Sequence, residues 1–265
     1  MSYVARRPVA SLRGLVDRLW HIEEPSGACA AETICPDGRS EIVLHVGDPM
    51  AQRVGARDNR QPRQLLVGQM TSPITVVATG RMMMVGARLA PDALYRLTRI
   101  PQVEMIGRVL DLEAVWSRWT RQAADRVSVA TGPAERLAAL ESALEELLSA
   151  NSRPRSSRSM SAAIAMLDVT GGQASIDALA HAHGLSRRQF ERRFREQVGL
   201  SPRLFGRIVR FQRAFGALGF ERGAAIAARY GFADQAHLVH EIRRFAGQPP
   251  TALAEASGLT AFFRA

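Results

Sequence analysis

The sequence predicts an α+β protein with an N-terminal β-barrel or sandwich-like domain and trailing helices, followed by an all-α domain with two helix-turn-helix units. Three observations predict it. Short β-like runs lie between turn residues before Pro91, helical patterns follow, and Gly184 and Gly231 mark similar turns 47 residues apart. A length of 265 residues suits two domains. We expect the first at 1–150, a Ser/Arg/Pro-rich linker at 151–158 and the second at 159–265.

The N-terminal strands are predicted from β-like runs of six to nine residues with turn chemistry between them. These runs cover residues 15–22, 41–47, 63–69, 74–79 and 81–89, and they alternate with Gly, Pro, Asp and Asn clusters such as 36–40. Strands bounded in this way are typical of antiparallel structure. Several of them in series favour a barrel or a sandwich.

Three helical patterns follow. Pro91 suits a helix start, with Leu94, Leu97 and Ile100 on one apolar side, and a second helix is expected over 111–119. A third covers 133–150 and carries a leucine stripe at helical spacing: Leu137, Leu140, Leu144, Leu147 and Leu148. We expect the stripe to pack on its own domain, with a homodimer seam as the alternative.

The N-terminal half carries no nucleophile elbow and no phosphate-binding glycine loop, so we predict no catalytic residue, no cofactor and no metal. Trp20, His21, His45 and Arg88 are the candidate lining of a small-molecule effector pocket, because barrels of this size can hold one ligand. Two alternatives stay open. One is an enzyme with a metal held by His21, Cys35 and His45, and the other is a DNA-repair alkyl acceptor that uses Cys35 as a thiolate.

The charge of the chain is uneven. Its formal net charge is +10 without a single lysine, and residues 156–265 hold 15 arginines against 8 acidic residues. An excess of that size in a small domain attracts polyanions, and nucleic acid is the commonest of them. No apolar run reaches the roughly 20 residues of a membrane span and the start lacks a signal peptide, so we expect a cytoplasmic protein with no membrane partner.

The first helix-turn-helix unit is predicted between residues 175 and 198. Ser175 and Ser186 are placed to cap two helices, and Gly184 permits the sharp turn between them. On the second helix, Phe190 and Phe194 form the inward stripe. At 100° per residue the opposite face carries three arginines, Arg188, Arg192 and Arg195. Arginines on an exposed helix can bond guanine edges or clamp phosphates in the major groove.

The same arrangement repeats after a long helix at 201–218. Residues 224–232 match the first small-residue helix and its glycine turn, and 233–247 match the helix that follows it. Two such units on one rigid spacer can place two recognition helices about one DNA turn apart, which is ~34 Å. The pattern predicts a chain that contacts two successive major grooves.

Several spaced motifs occur together here: GLSRRQFERRFREQVGLSP, IAARYGFADQAHL and RRFAGQPPTAL. Over residues 159–256 the chain resembles the AraC/XylS family of bacterial transcription regulators. The resemblance implies a C-terminal domain that binds double-stranded DNA and an N-terminal domain that senses an effector or dimerises, with RNA polymerase as a candidate partner. It also implies base contacts from two sets of residues: Arg188, Glu191 and Arg192 on the first helix, and Gln235, Ala236, Val239 and His240 on the second.

Phosphate contacts are expected at the ends of the same two helices. Their candidates are Ser186, Arg195, His237, Arg243 and Arg244. Two residues depart from the family pattern, because His240 stands where an arginine or similar polar residue is usual and Ile242 replaces a usual phenylalanine. Base recognition by the second unit is therefore expected to be less typical than that by the first.

Overall fold

A computed structural model describes residues 1–24, 31–151 and 159–255. The described residues of the N-terminal part form ten strands: β1 Ser2–Arg6, β2 Val16–Glu24, β3 Glu32–Ile34, β4 Glu41–His45, β5 Ala51–Val54, β6 Arg57–Arg60, β7 Gln64–Val67, β8 Ile74–Val77, β9 Met82–Leu89 and β10 Val109–Asp111. All five predicted strand regions are present. The other five strands, β1, β3, β5, β6 and β10, were not predicted, because they are short or, like β6, exposed at every residue.

The strands form two antiparallel sheets. One has the order β1-β2-β9-β4-β7-β10 and the other the order β3-β8-β5-β6. Within the described residues the two sheets stay separate, so the domain is sandwich-like and not a closed barrel. Side chains alternate across each strand. On β4, Val43 faces the core between the sheets, whereas Ile42 and Leu44 face the helices on the other side.

Those helices are α1 Ala93–Thr98, α2 Glu113–Val129 and α3 Pro133–Asn151. The leucine stripe of α3 packs on its own sheet: Leu137, Leu140, Leu144 and Leu147 are each at most 4% exposed and belong to the same core as β4 and β9. The stripe therefore does not form a dimer seam. Ile100 was wrongly assigned to the first helix, because the chain leaves it at Arg99, whose φ of 61° is left-handed.

The C-terminal part is helical: α4 Ser161–Val169, α5 Ile176–Ala182, α6 Arg187–Val198, α7 Pro202–Ala217, α8 Gly223–Tyr230, α9 Gln235–Ala246 and α10 Pro250–Glu255. Ser175 caps α5, and its side chain accepts a hydrogen bond from the Ala178 amide. Gly184 and Gly231 have φ values of 62° and 73°, a left-handed conformation that a residue with a Cβ adopts at a cost. Helices α5 to α9, their turns and their order are those predicted, whereas α10 was not predicted from the sequence.

Both helix-turn-helix units share one core with α7 between them. Phe194 of α6 packs on Phe205 near the start of α7, with ring centroids 5.8 Å apart. Phe211, further along α7, packs on Phe245 of α9 at 5.2 Å. All four rings are fully buried. Aromatic pairs at these separations add stability beyond burial, so α7 holds α6 and α9 in a set relation.

The expected linker 151–158 and the end of the predicted second domain lie largely outside the described residues, which resume at Ser159 and stop at Glu255. The described parts on either side of that linker contact each other directly. Among the described residues no helix has the length and apolar character that crossing a membrane requires.

Replacing Phe211 with alanine is expected to lower the free energy of unfolding by about 3–5 kcal/mol, because a buried ring that joins α7 to α9 is lost and a cavity remains. The matched control is Phe220→Ala. Phe220 is 83% exposed, so this change should stay within about 0.5 kcal/mol of wild type. Chemical denaturation monitored by circular dichroism measures both. Equal losses in the two variants would contradict the role given to Phe211.

Candidate nucleic-acid interface and effector cavity

The outer face of α6 presents three free arginines. Arg188, Arg192 and Arg195 are exposed, and no carboxylate of the described residues pairs with any of them. The inward side is held by Phe190 and Phe194, each 0% exposed. Cationic side chains that are already paired with acids contribute less to binding an anion. These three therefore form the strongest candidate anion-binding surface of the first unit.

The start of α6 is a closed capping box. The Ser186 hydroxyl accepts a hydrogen bond from the Gln189 amide at 3.3 Å, and the Gln189 side-chain oxygen accepts one from the Ser186 amide at 3.0 Å. Arg187 pairs with Asp177 at 3.2 Å and with Glu191 at 3.1 Å. Glu191 is thus half-buried in an ion pair with its own helix. Of the residues of α6 predicted to contact bases, Glu191 is the one whose carboxylate is already held by an arginine of the protein.

The second helix, α9, also has a buried inner side and an exposed outer side, but its outer side carries fewer charges. Gln235, Ala236 and His240 are exposed and Val239 is half-buried, while Arg243 and Arg244 are exposed in the last turn. The structure thus places the sequence-predicted residues of each helix on one outer side. The first face is rich in arginine and the second is mixed polar and apolar.

His237 has a structural role at the start of α9. Asp234 caps the helix by accepting a hydrogen bond from the His237 amide at 2.7 Å. The imidazole Nδ1 accepts a hydrogen bond from the Ala233 amide at 3.2 Å, and the ring packs on Phe232 with centroids 5.5 Å apart. Only Nε2–H is left to donate to a phosphate.

An ion pair fastens α9 to α7. The Arg207 guanidinium donates to both carboxylate oxygens of Glu241, at 2.8 and 2.5 Å, and Glu241 is 3% exposed. Burial favours the neutral form of Glu241. The hydrogen bonds and charge of Arg207 outweigh burial, with smaller contributions from His237 and Arg244, so the pKa of Glu241 lies below its usual value. The pair therefore stabilises the ionised form.

The N-terminal turn at 36–39 docks onto the helical domain. The Gln212 side-chain amide of α7 donates to the Pro36 carbonyl at 2.6 Å. Gly38 has φ +74°, and a Cβ there would lie 2.9 Å from the Phe205 ring. Arg39 pairs with Asp17 of its own domain at 2.6 Å and with Asp168 of α4 at 2.9 Å. The turn was predicted from its Pro-Asp-Gly chemistry, but its contact with α4 and α7 was not.

A second contact joins the domains beside α6. The Tyr95 hydroxyl of α1 donates to Glu196 of α6 at 3.1 Å. Asp92, which is 1% exposed, accepts a hydrogen bond from the Ser161 hydroxyl at 2.7 Å. A Cβ at Gly199, the end of α6, would lie 2.9 Å from the Gln102 carbonyl oxygen. The end of the first recognition helix therefore lies directly against the N-terminal domain.

A cavity of about 90 Å³ lies between the two sheets. Three of the four residues predicted to form an effector pocket, Trp20, His45 and Arg88, line this cavity. His21 does not, because it follows Trp20 on β2 and points to the opposite face. There its Nε2 lies 3.5 Å from the Arg136 guanidinium of α3. The prediction that His21 lines the pocket is therefore wrong.

The geometry argues against both alternatives for this half of the chain. His21 and His45 lie on opposite faces of one sheet, and among the described residues no three metal-binding side chains cluster. Cys35 is buried, and burial together with the charge of Asp37 raises the pKa of its thiol to about 12. A thiol of that pKa is protonated near neutrality and is a poor alkyl acceptor.

The fold and the two exposed helices define a two-domain DNA-binding protein of the helix-turn-helix class. Residues 179–256 match a family model described as a helix-turn-helix domain, and residues 5–111 match a domain of unknown function, DUF6597. No curated protein matches the chain. The motifs around Gly184, Ser201 and Gly231 lie within or beside the first match. The C-terminal part of the chain is therefore a DNA-binding helix-turn-helix domain, similar to those of AraC-type transcriptional regulators.

Two solved structures are similar to this chain, one of them over nearly its whole length. Apo ToxT from Vibrio cholerae is similar with a TM-score of 0.50 and 9% identity, over 94% of this chain and 98% of that one. This likeness is one of fold. A transcriptional regulator from Chromobacterium violaceum with an AraC-type DNA-binding domain is 25% identical over 35% of this chain and 85% of its own, with a TM-score of 0.33.

Glu241→Gln is expected to lower the free energy of unfolding by about 1–3 kcal/mol at pH 7, because a buried charge-assisted pair is broken. Since the folded-state pKa of Glu241 is depressed, its contribution is present above the unfolded-state pKa and is lost as pH falls through the folded-state value. The difference from wild type should therefore shrink below about pH 4. Urea denaturation across pH measures it. Glu146→Gln, which breaks an exposed ion pair, is the control and should change the free energy of unfolding little. If the difference between wild type and Glu241→Gln did not depend on pH, the ionic role of Glu241 would be contradicted.

Proposed function

We propose that α6 and α9 bind successive major grooves on one side of a DNA duplex. The observation that carries this proposal is the packing of both helices on α7, through Phe194 with Phe205 and Phe211 with Phe245. A helix of 16 residues is about 24 Å long, which is of the order of the ~34 Å between successive grooves. One rigid spacer would then present two recognition helices at a set separation.

The charge and position of each residue indicate whether it would contact bases or phosphates. Arg188 and Arg192 would supply most of the base discrimination, at about 1–3 kcal/mol for each good bidentate contact. The other proposed base contacts are Glu191, Gln235, Ala236, Val239 and His240. Phosphates would be held by Ser186, Arg195, His237, Arg243 and Arg244, which set the register on the duplex. None of the proposed base-contacting residues of α9 is an arginine, so we expect a weaker sequence preference there than on α6.

The N-terminal domain, proposed as residues 1–150, would modulate DNA binding by an effector held between the two sheets. The segment 35–41 supports this, because it lines the cavity with Cys35, Asp37, Arg39 and Glu41 and also carries the turn that touches α4 and α7. A ligand that moves this segment would act on the helical domain through the same contacts. No catalytic role is proposed. RNA polymerase is a proposed partner in the cytoplasm, and a homodimer would have to use a surface other than the buried α3 stripe.

Arg192→Ala is expected to relax sequence specificity, whereas Arg243→Ala should weaken binding to all sequences alike and reduce the salt slope by about one. Selection from a random duplex library gives the site, and a two-part site with about 10 bp between centres is expected. Fluorescence anisotropy with that site and a scrambled duplex then measures both variants over a salt series. Arg121→Ala, an exposed arginine of α2, is the control. Equal losses on both duplexes for both variants would refute this division.

Arg39→Ala is expected to loosen the joint between the domains, because Asp17 and Asp168 lose their shared partner. We expect about 1–3 kcal/mol less stability and faster amide hydrogen exchange in the 35–45 segment and in α4. Arg53→Ala removes an exposed pair with Asp58 and serves as the control, with no change expected in either region. Unchanged exchange in α4 of Arg39→Ala would show that the bridge does not hold the joint.

A further inference from the structure

The body of the cavity between the sheets is apolar and adaptable. Three methionines, Met50, Met70 and Met84, line it together with aliphatic side chains from both sheets such as Val43, Leu65 and Ile74. Methionine has a flexible, polarizable side chain that fits ligands of varied shape. A site that needs about 10–15 Å³ for each water-sized group holds roughly six to nine such groups in 90 Å³. The cavity therefore suits a compact apolar body.

Both arginines at the polar end are already paired. Arg88 contacts Asp37 at 2.6 Å, and Arg39 contacts Asp17 at 2.6 Å and Asp168 at 2.9 Å. An anionic ligand would have to displace a carboxylate of the protein from one of these arginines. Among the described residues, the polar end thus has no unpaired cation for an anionic head group.

At the other end of the cavity the titratable lining residue is His45. His45 donates from Nδ1 to the Arg63 carbonyl at 3.2 Å, and its Nε2 accepts a hydrogen bond from the Met50 amide at 3.4 Å. Burial lowers the pKa of this imidazole, which keeps it neutral. Both ring nitrogens are satisfied by backbone, so His45 offers a ligand only the edge of its ring.

Glu41 is the charged lining residue that stands outside these ion pairs. It lies on β4 opposite Arg88 of β9, but no cation of the described residues is within ion-pair distance of its carboxylate. The groups that face it are Trp20 of β2, Asp37 of the turn, Arg88 of β9 and Tyr3 of β1. Arg18 bonds Tyr3 at the outer edge of this group. Burial and the neighbouring Asp37 raise the pKa of Glu41 to about 7.

We propose that this cavity binds a compact organic cation, a protonated amine on an apolar body, whose ammonium group pairs with the carboxylate of Glu41. The proposal rests on the proposed role of the N-terminal domain in sensing an effector, and it adds the chemical class of that effector. The ammonium group would lie beside the 35–41 segment, which also contacts the helical domain. Ligand charge would therefore act where the two domains meet.

Calorimetric titration of the full chain without DNA tests the ligand class. The probes share one body and differ in the head group: benzylamine, benzyl alcohol and benzoate, with hexylamine, hexanol and hexanoate as an aliphatic series. At pH 8 we expect each amine to bind at least about tenfold more tightly than its alcohol, and the carboxylates not to bind. A carboxylate or an alcohol that binds as tightly as the amine overturns the proposal, and so does a protein that binds none of the six.

Titration across pH gives a second readout that needs no variant. Because Glu41 must be ionised to pair with the amine, amine affinity should rise between pH 6 and pH 8 by about tenfold and binding at pH 7 should release protons. Benzyl alcohol should show little change over the same range. Amine affinity that does not change, or that falls, with rising pH contradicts the role of Glu41.

Glu41→Gln keeps the shape of the side chain and removes its charge, so the preference for amine over alcohol should disappear. Glu113→Gln, an exposed residue at the start of α2, is the matched control and should retain the preference. DNA affinity measured with and without amine separates this proposal from the proposed function. An amine that binds through Glu41 without changing DNA affinity supports the ligand class and refutes the effector role.

Discussion

The packing of two recognition helices on one shared helix is the constraint on which the rest of the structure depends. Phe205 and Phe211 lie on α7, and each receives a ring from a different helix-turn-helix unit, Phe194 from α6 and Phe245 from α9. Interiors packed this closely deform little. The exposed side chains of α6 and α9 therefore keep fixed positions relative to each other. Because DNA is stiff, a protein that contacts two of its grooves at once requires such a fixed arrangement.

The segment 35–41 is a second constraint, because three of its residues each have a different structural role. Cys35 packs in the core of the helical domain, Gly38 allows the chain to pass close to Phe205, and Glu41 lines the cavity between the sheets. These three residues lie within one seven-residue segment. This proximity gives a physical route from a ligand in the N-terminal domain to α4 and α7, without a long-range rearrangement of the sheets.

Elements whose structure is set by nearby residues were predicted from the sequence. Elements whose structure is set by packing between residues far apart in the chain were not. Ser175, Ser186, Gly184 and Gly231 mark helix starts and turns by their own side chains or backbone freedom, and the helices around them were predicted. Strands such as β6 have no apolar alternation and exist through pairing with β5. His21 was assigned to the cavity because alternation along β2 shows which residues share a face, but not which face meets the second sheet.

The sequence by itself determined the class of the C-terminal domain and the outer positions of Arg188, Arg192 and Arg195, since helical periodicity places them opposite Phe190 and Phe194. Only the tertiary structure decided three further matters: that the α3 leucines are buried against their own sheet, that Arg39 bridges the two domains, and that Glu41 stands apart from the ion pairs around the cavity. Each depends on residues far apart along the chain. Their contacts follow from how whole layers pack, which short-range patterns do not encode.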